Sequence, residues 1–310
     1  MKRTLYRILG QHTPRLEDKL ERQHARDQRL DVNFLLITLD SCRYDAFCDA
    51  RTPVLDSFGR SLRAQSPANY TYAAHQSFFV GILPNVSEPV PYYNRFTRQL
   101  VGLIEVGETP KKQSTYFTVV SNRDAVDGFR RAGFQTVGTG AMNWFRQSSL
   151  TASFEQFEML TNAEAQINYV LRSLDTSRRF FAFINFGETH DPFHYQGKLK
   201  PCPVRIQARR ISWPPQESGL VGRKHEAYWH QVEAIEFVDR QLDRLFVALP
   251  ANTVVVMCGD HGECFGEDGY WGHGINHPKV FDVPLGIFRL DRRPIEKPNG
   301  VLAHGPKPEA

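Results

Sequence analysis

Three stretches of this chain are almost wholly apolar for the length of a strand: "VNFLLIT" from Val32 to Thr38, "FFAFINF" from Phe180 to Phe186, and "VVVM" from Val254 to Met257. A strand with one wet face alternates apolar and polar residues, whereas a continuous apolar run needs both faces covered. Helical patterns fall between these runs. "TPVLDSFGRSL" reads as a helix with Thr52 as N-cap and Pro53 at its first position. Tyr72 to Val80 reads as a helix stopped by Gly81 and Pro84, with Thr71 at or just before its start. "RDAVDGFRRAGF", "NAEAQINYVLRSL" and the long "HEAYWHQVEAIEFVDRQLDRLFVAL" follow. The last repeats Ile235, Val238, Leu242, Leu245 and Leu249 at helical spacing. "QTVGTG" and "VPLGIFRL" supply further strands, and Tyr116 to Val120 a short extended candidate. The expectation is an α/β fold: a mostly parallel central sheet with helices on both faces.

The 310 residues suit one large core. Residues 1–30 are charged and weakly amphipathic and read as an N-terminal arm, 31–292 as the folded domain, and 293–310 as a loose tail. Residues 196–222, rich in Pro, Gly and Arg, read as a surface excursion. A net charge of only +4 with no long basic run gives no sign of a nucleic-acid partner. No apolar run is long enough for a signal peptide or a membrane anchor. The five cysteines, an odd number without a metal-knuckle or disulfide spacing, read as thiols of a reducing compartment. A cytoplasmic protein is the expectation.

Each apolar run breaks off into polar chemistry. The first delivers Asp40; the second Glu188, His190, Asp191 and His194; the third Asp260 and His261. Parallel strands would bring these ends to one edge of the sheet, where open α/β folds place their sites. Two carboxylates and an imidazole, Asp40, Asp260 and His261, make a divalent-metal set of the kind that zinc or manganese prefers; calcium and magnesium, which favour oxygen alone, are the alternatives. A hydroxyl on such a metal loses its proton easily, so Thr71 would be both a ligand and a nucleophile. A helix N-terminus at Thr71 would also attract an anion. His190, His194, His273 and His277 are candidates to contact substrate oxygens or to protonate a leaving group.

The order of these motifs resembles the alkaline phosphatase and sulfatase superfamily. "LLITLDSCRYD" is similar to its opening strand with a metal-binding acid and a trailing Arg-x-Asp. "TPVLDSF" is similar to its "TPNLD" helix, and "GDHGECFGEDG" to its late metal motif. "TYAAHQSFFVGILP" stands where sulfatases carry C-x-P-S-R, so Thr71 replaces the cysteine that those enzymes oxidise to formylglycine. Ser41 replaces a usual second Asp, and His261 a usual Asn. The set Asp, Thr, Asp, His resembles the branches that transfer phosphoryl groups: phosphodiesterases, phosphoethanolamine transferases and lipoteichoic-acid synthases.

The resemblance implies one bound metal, because Glu188 and Asp191 do not match the D-x-x-x-H pattern of two-metal members. It places His190 and His273 where sulfatases have a histidine and a lysine. It implies a metal-dependent hydrolase of phosphate mono- or diesters, acting on a small anionic ester through a Thr nucleophile. A sulfuric-ester hydrolase, a phosphoryl transferase, and an inactive relative that binds an anion or a protein are the alternatives. Arg43 and Asp45 read as braces of the first loop.

Overall fold

The computed structural model describes residues 31–81, 102–104, 118–120, 124–195, 198–200 and 220–292. The arm at 1–30, the tail after 292 and most of the excursion at 196–222 lie outside them. Strand β1 (Asn33–Leu39) leads to helices α1 (Tyr44–Asp49) and α2 (Pro53–Asp56), strand β2 (Leu62–Gln65) and helix α3 (Thr71–Val80). Strands β3 (Gly102–Ile104) and β4 (Thr118–Val120) form a separate parallel pair. Helix α4 (Ala125–Arg131), β5 (Gln135–Gly140), α5 (Ser148–Thr151), β6 (Gln156–Met159), α6 (Ala163–Ser173) and β7 (Phe180–Phe186) follow. After the hairpin β8 (Phe193–Tyr195) and β9 (Lys198–Lys200) come α7 (Glu226–Ala248) and β10 (Thr253–Gly259). The small hairpin β11 (Cys264–Phe265) and β12 (Trp271–Gly272), α8 (Pro278–Phe281) and β13 (Asp282–Arg289) complete the domain.

The main sheet has seven strands in the order β2-β13-β10-β1-β7-β5-β6. From β10 to β6 every pairing is parallel, and β13 and β2 add an antiparallel edge. The expected mostly parallel sheet with helices on both faces is therefore present. On one face Leu35, Ile37 and Leu39 of β1 pack with Ile167 of α6 and with Ile235, Val238, Leu242 and Leu245 of α7. On the other, Phe34 and Leu36 pack with Phe79 of α3, Val126 of α4 and Leu150 of α5. Full burial of one such side chain contributes about 1.5–3 kcal/mol, so both helical layers are held by the alternating sides of the same strands.

One local expectation is corrected. "TPVLDSFGRSL" is not one helix: α2 ends at Asp56, Gly59 takes φ 120°, and Leu62–Gln65 becomes the edge strand. A left-handed φ suits glycine and ends helical propagation. Thr52 stands at the N-cap of α2, but its hydroxyl donates to Asp56, and the free amides of Val54 and Leu55 are taken by Asp239 of α7. The start of α3 is at Thr71 itself, with Tyr70 as N-cap, and Gly81 closes it at φ 74°. Among the described residues no helix is long and apolar enough to cross a membrane.

Candidate active site

Strands β10, β1 and β7 lie side by side, with Leu39 level with both Gly259 and Phe186. Their carboxyl ends therefore stop on one line. Asp40 and Asp260 step off that line as neighbours, the amide of Asp40 donating to Phe186 O at 2.9 Å. Two glycines make this turn feasible. A Cβ on Gly259 would sit 2.6 Å from the Cys42 carbonyl, and one on Gly262 would collide with the Lys279 carbonyl.

Asp40, Asp260 and His261 are fully buried, and one ligand atom from each falls within 4.8 Å of the others. His261 Nδ1 donates to Gly262 O at 2.9 Å, which turns Nε2 inward as a lone pair, 3.6 Å from Asp260 and 3.8 Å from Asp40. Thr71, the first residue of α3, completes the group: its Oγ1 is 3.4 Å from each Asp40 oxygen and 3.3 Å from His261 Nε2. Burial lowers the His261 pKa well below its ordinary value and keeps the ring neutral. Burial, and then the charge of Asp40, push Asp260 well above the usual carboxylate range. Burial also raises Asp40, against the charges of His190 and His273.

This set fits a divalent cation. Asp260 Oδ2 is buried and has no hydrogen-bond partner. Buried carboxylates are hydrogen-bonded, paired or bound to metal, so an orphaned oxygen beside a second carboxylate and a neutral imidazole lone pair has the chemistry of a metal ligand.

His190 and His273 line the same place. The His273 ring centroid is 4.5 Å from that of His261 and 5.2 Å from that of His190. His190 Nδ1 donates to the Asp191 carbonyl, so the lone pair of the neutral ring is on Nε2. Burial alone would lower the His273 pKa, but its 3.4 Å hydrogen bond to Glu263 and that carboxylate's charge raise it instead.

The other candidates are placed elsewhere. His277 is the N-cap of α8: its Nδ1 accepts from Lys279 N at 3.1 Å while Nε2 meets Asp268 at 3.2 Å. His194 lies on β8 opposite Leu199 and makes no hydrogen bond to the cluster among the described residues. Arg43 is a brace: fully buried, it pairs with Asp45 and Glu267 and reaches Glu263 O, and so ties the loop after β1 to the loop after β10.

His75 belongs to the site although no motif singles it out. It lies one helical turn after Thr71 and is fully buried. Its Nδ1 donates to Thr71 O at 2.7 Å, and its Nε2 meets Thr38 Oγ1 at 2.9 Å. Thr38 accepts from Asn185, whose amide also reaches Asp40 at 3.3 Å. A neutral polar chain thus runs from Asp40 to the carbonyl of Thr71. The sequence does carry a signal for it: Thr38 and Asn185 are polar residues inside apolar runs, and the register sets them level.

Glu188, which follows β7 and could have served a second metal, turns away and accepts from Ala163 N at 2.5 Å at the start of α6. Its other oxygen is buried and unpartnered, and burial pushes its pKa up to about 7. A carboxyl with a raised folded pKa favours the fold while protonated. Stability should therefore fall as pH rises from the ordinary value of 4.5 through about 7. The full effect is up to about 3 kcal/mol. Glu188→Gln keeps the acceptor for Ala163 and should flatten this slope, leaving the variant more stable than wild type at pH 8. Urea unfolding at pH 5 and pH 8 measures it; equal slopes for the two proteins would refute the assignment.

A protein-family model described as Sulfatase matches residues 126–285. No curated protein matches the sequence. Among solved structures, one from Bacteroides thetaiotaomicron glycosaminoglycan metabolism (4S-sulf) is 16% identical with TM-score 0.53, covering 83% of this chain and 67% of its own. The Streptococcus pyogenes phosphoglycerol transferase GacH, in complex with sn-glycerol-1-phosphate, is 14% identical with TM-score 0.51, covering 88% and 73%. An alkaline phosphatase superfamily protein from Vibrio parahaemolyticus is 14% identical with TM-score 0.51, covering 85% of this chain and 61% of that one. At these identities the likeness is one of fold.

Proposed function

The chain belongs to the sulfatase family of the alkaline phosphatase superfamily, and from that premise we propose that it cleaves phosphoric esters and passes the phospho group by way of Thr71 to an acceptor hydroxyl. The observation that carries this reading is the position of Thr71 Oγ1 between the Asp40 carboxylate and His261 Nε2, at a helix N-terminus that no side chain caps. A threonine cannot become the formylglycine that sulfatases make from cysteine, but its hydroxyl is a competent phosphoryl acceptor. The fold is shared with a phosphoglycerol transferase, so an alcohol acceptor is within the range of this scaffold.

Asp40, Asp260, His261 and Thr71 would hold a divalent cation, manganese or zinc by ligand type, which supplies Lewis acidity to the hydroxyl and to the ester. Asp40 lies within reach of the Thr71 hydroxyl, orients it for attack, accepts its proton as the new O–P bond forms and returns it when Thr71 is released. The first amides of α3 point at the same space and hold a non-bridging phosphoryl oxygen. His273, whose protonated form the Glu263 carboxylate favours, gives its proton to the leaving oxygen, and His190 stands beside it. The same pair takes a proton from the acceptor hydroxyl when the phosphothreonine is discharged.

With manganese or zinc present, 4-nitrophenyl phosphate or bis(4-nitrophenyl) phosphate should be turned over faster than 4-nitrophenyl sulfate. Added glycerol should divert product from inorganic phosphate to a phosphoglycerol. Dominant hydrolysis of the sulfate ester would overturn the reading.

A further inference from the structure

Two of the loops that carry the site, one after β1 and one after β7, lie far apart in sequence, yet a single side chain from another element joins them. Gln231 of α7 is fully buried. Its Nε2 donates to Ser41 O at 2.8 Å and to Thr189 O at 3.0 Å, and its Oε1 accepts from Arg43 N at 3.3 Å. Both amide hydrogens are thereby used on backbone carbonyls, one from each loop.

What those loop atoms do gives the contact its meaning. Ser41 adopts φ 59°, a left-handed conformation that non-glycine residues rarely take. In it, Ser41 N donates to Asp260 Oδ1 at 3.0 Å, while its carbonyl points the other way, to Gln231. Such a conformation persists only where surrounding contacts over-determine it. Thr189, adjacent to His190, uses its hydroxyl to hold Asp40 O at 2.6 Å. One carboxamide therefore holds the carbonyl of Ser41, the residue whose amide aims Asp260, and the peptide preceding His190.

We propose that Gln231 is a positioning residue that sets the metal-holding carboxylates and the His190 loop in register with each other. The inference rests on the assignment of Asp40, Asp260 and His261 as a cation site and of His190 as a substrate contact. Gln231 acts from the opposite side of the sheet to α3 and touches neither cation nor substrate. Replacing it by an apolar residue of similar length leaves two buried carbonyls without donors and frees Ser41 to leave its left-handed state. Outer residues of this kind govern about 10–100-fold in metal affinity or activity.

The test compares full-length Gln231→Met and Gln231→Glu with Leu242→Ala, a core variant on the same helix that removes apolar packing and touches neither loop. Three readouts are taken: Mn2+ affinity by calorimetry, the visible absorption spectrum of the Co2+ form, and kcat and KM separately on the nitrophenyl phosphate esters. Both Gln231 variants should lose at least about tenfold in Mn2+ affinity and in kcat, and should shift the Co2+ bands. Leu242→Ala, at an equal or larger loss of melting temperature, should keep all three. A Gln231→Met or Gln231→Glu protein with wild-type Mn2+ affinity and an unshifted Co2+ spectrum overturns the inference, as does a loss no larger than that of Leu242→Ala. The Mn2+ and Co2+ arms read the same way if no phosphate ester is turned over, so failure of the proposed reaction is separable from failure of this assignment.

Discussion

Thr71→Ala should lose at least about 10^3-fold in kcat, the scale on which removal of a nucleophile acts, while still binding the cation weakly through Asp40, Asp260 and His261. Among the described residues Thr71 alone brings a hydroxyl within reach of both Asp40 and His261 Nε2, so no other side chain can take its place. Thr71→Ser should keep a measurable part of the rate, because the hydroxyl survives and only a methyl group is lost. A rapid quench with radiolabelled ester should trap phosphate on Thr71 in the wild type and none in Thr71→Ala. Near-normal turnover by Thr71→Ala would mean that water attacks the ester directly.

The second large effect has opposite signs in the two states of the protein. Asp260→Asn should abolish metal-dependent activity and the stabilisation that Mn2+ or Zn2+ confers, yet raise the stability of the metal-free protein at neutral pH. Burial and the Asp40 charge hold the Asp260 pKa well above its ordinary value, so ionising it costs the metal-free fold. The sign follows: a raised carboxyl favours the fold at low pH, and that stability is lost as pH rises through the folded pKa. An asparagine keeps the acceptor that Ser41 N and His261 N use, and removes the charge. A gain in stability over wild type is therefore expected in urea melts at pH 8 with a chelator present. A metal-free variant less stable than wild type at pH 8 would show that the two carboxylates are not in conflict.

Much of this fold is written in runs of residues. "FFAFINF" and "QTVGTG" are β7 and β5 to the residue, because buried parallel strands leave a continuous apolar or small-residue signature. The left-handed Gly81 marks the end of α3 for the same local reason. The edge strand β2 was not legible: Leu62–Gln65 is short and mostly exposed, and its pairing partner Asp282–Leu285 lies far along the chain. The antiparallel sense of β13 is likewise set by topology and leaves no local mark.

Within the site, Asp40, Asp260 and His261 could be read because each follows an apolar strand. Gln231 and Asp239 could not, since a helix hides its purpose: both lie on the buried side of α7 among Val232, Ile235 and Val238. A polar residue on an otherwise apolar stripe is the signal they do offer. Each proves to serve a backbone segment brought in from elsewhere in the chain, Gln231 at Ser41 and Thr189, Asp239 at Val54 and Leu55.

The order of the central strands carries a kinetic consequence. β10, β1 and β7 are neighbours in space but begin at residues 253, 33 and 180, so the middle of the sheet is made of pairings between distant parts of the chain. Pairings of that kind close large loops and are reached slowly. The two carboxylates meet only once β1 and β10 are paired, so a cation held between them binds only a chain in which that pairing exists. We expect such a cation to lower the rate of unfolding and to leave the rate of folding unchanged, as stabilisation of a site absent from the transition state does; folding and unfolding rates measured with and without Mn2+ check it, and a faster folding arm would mean that the pairing is already made in the barrier.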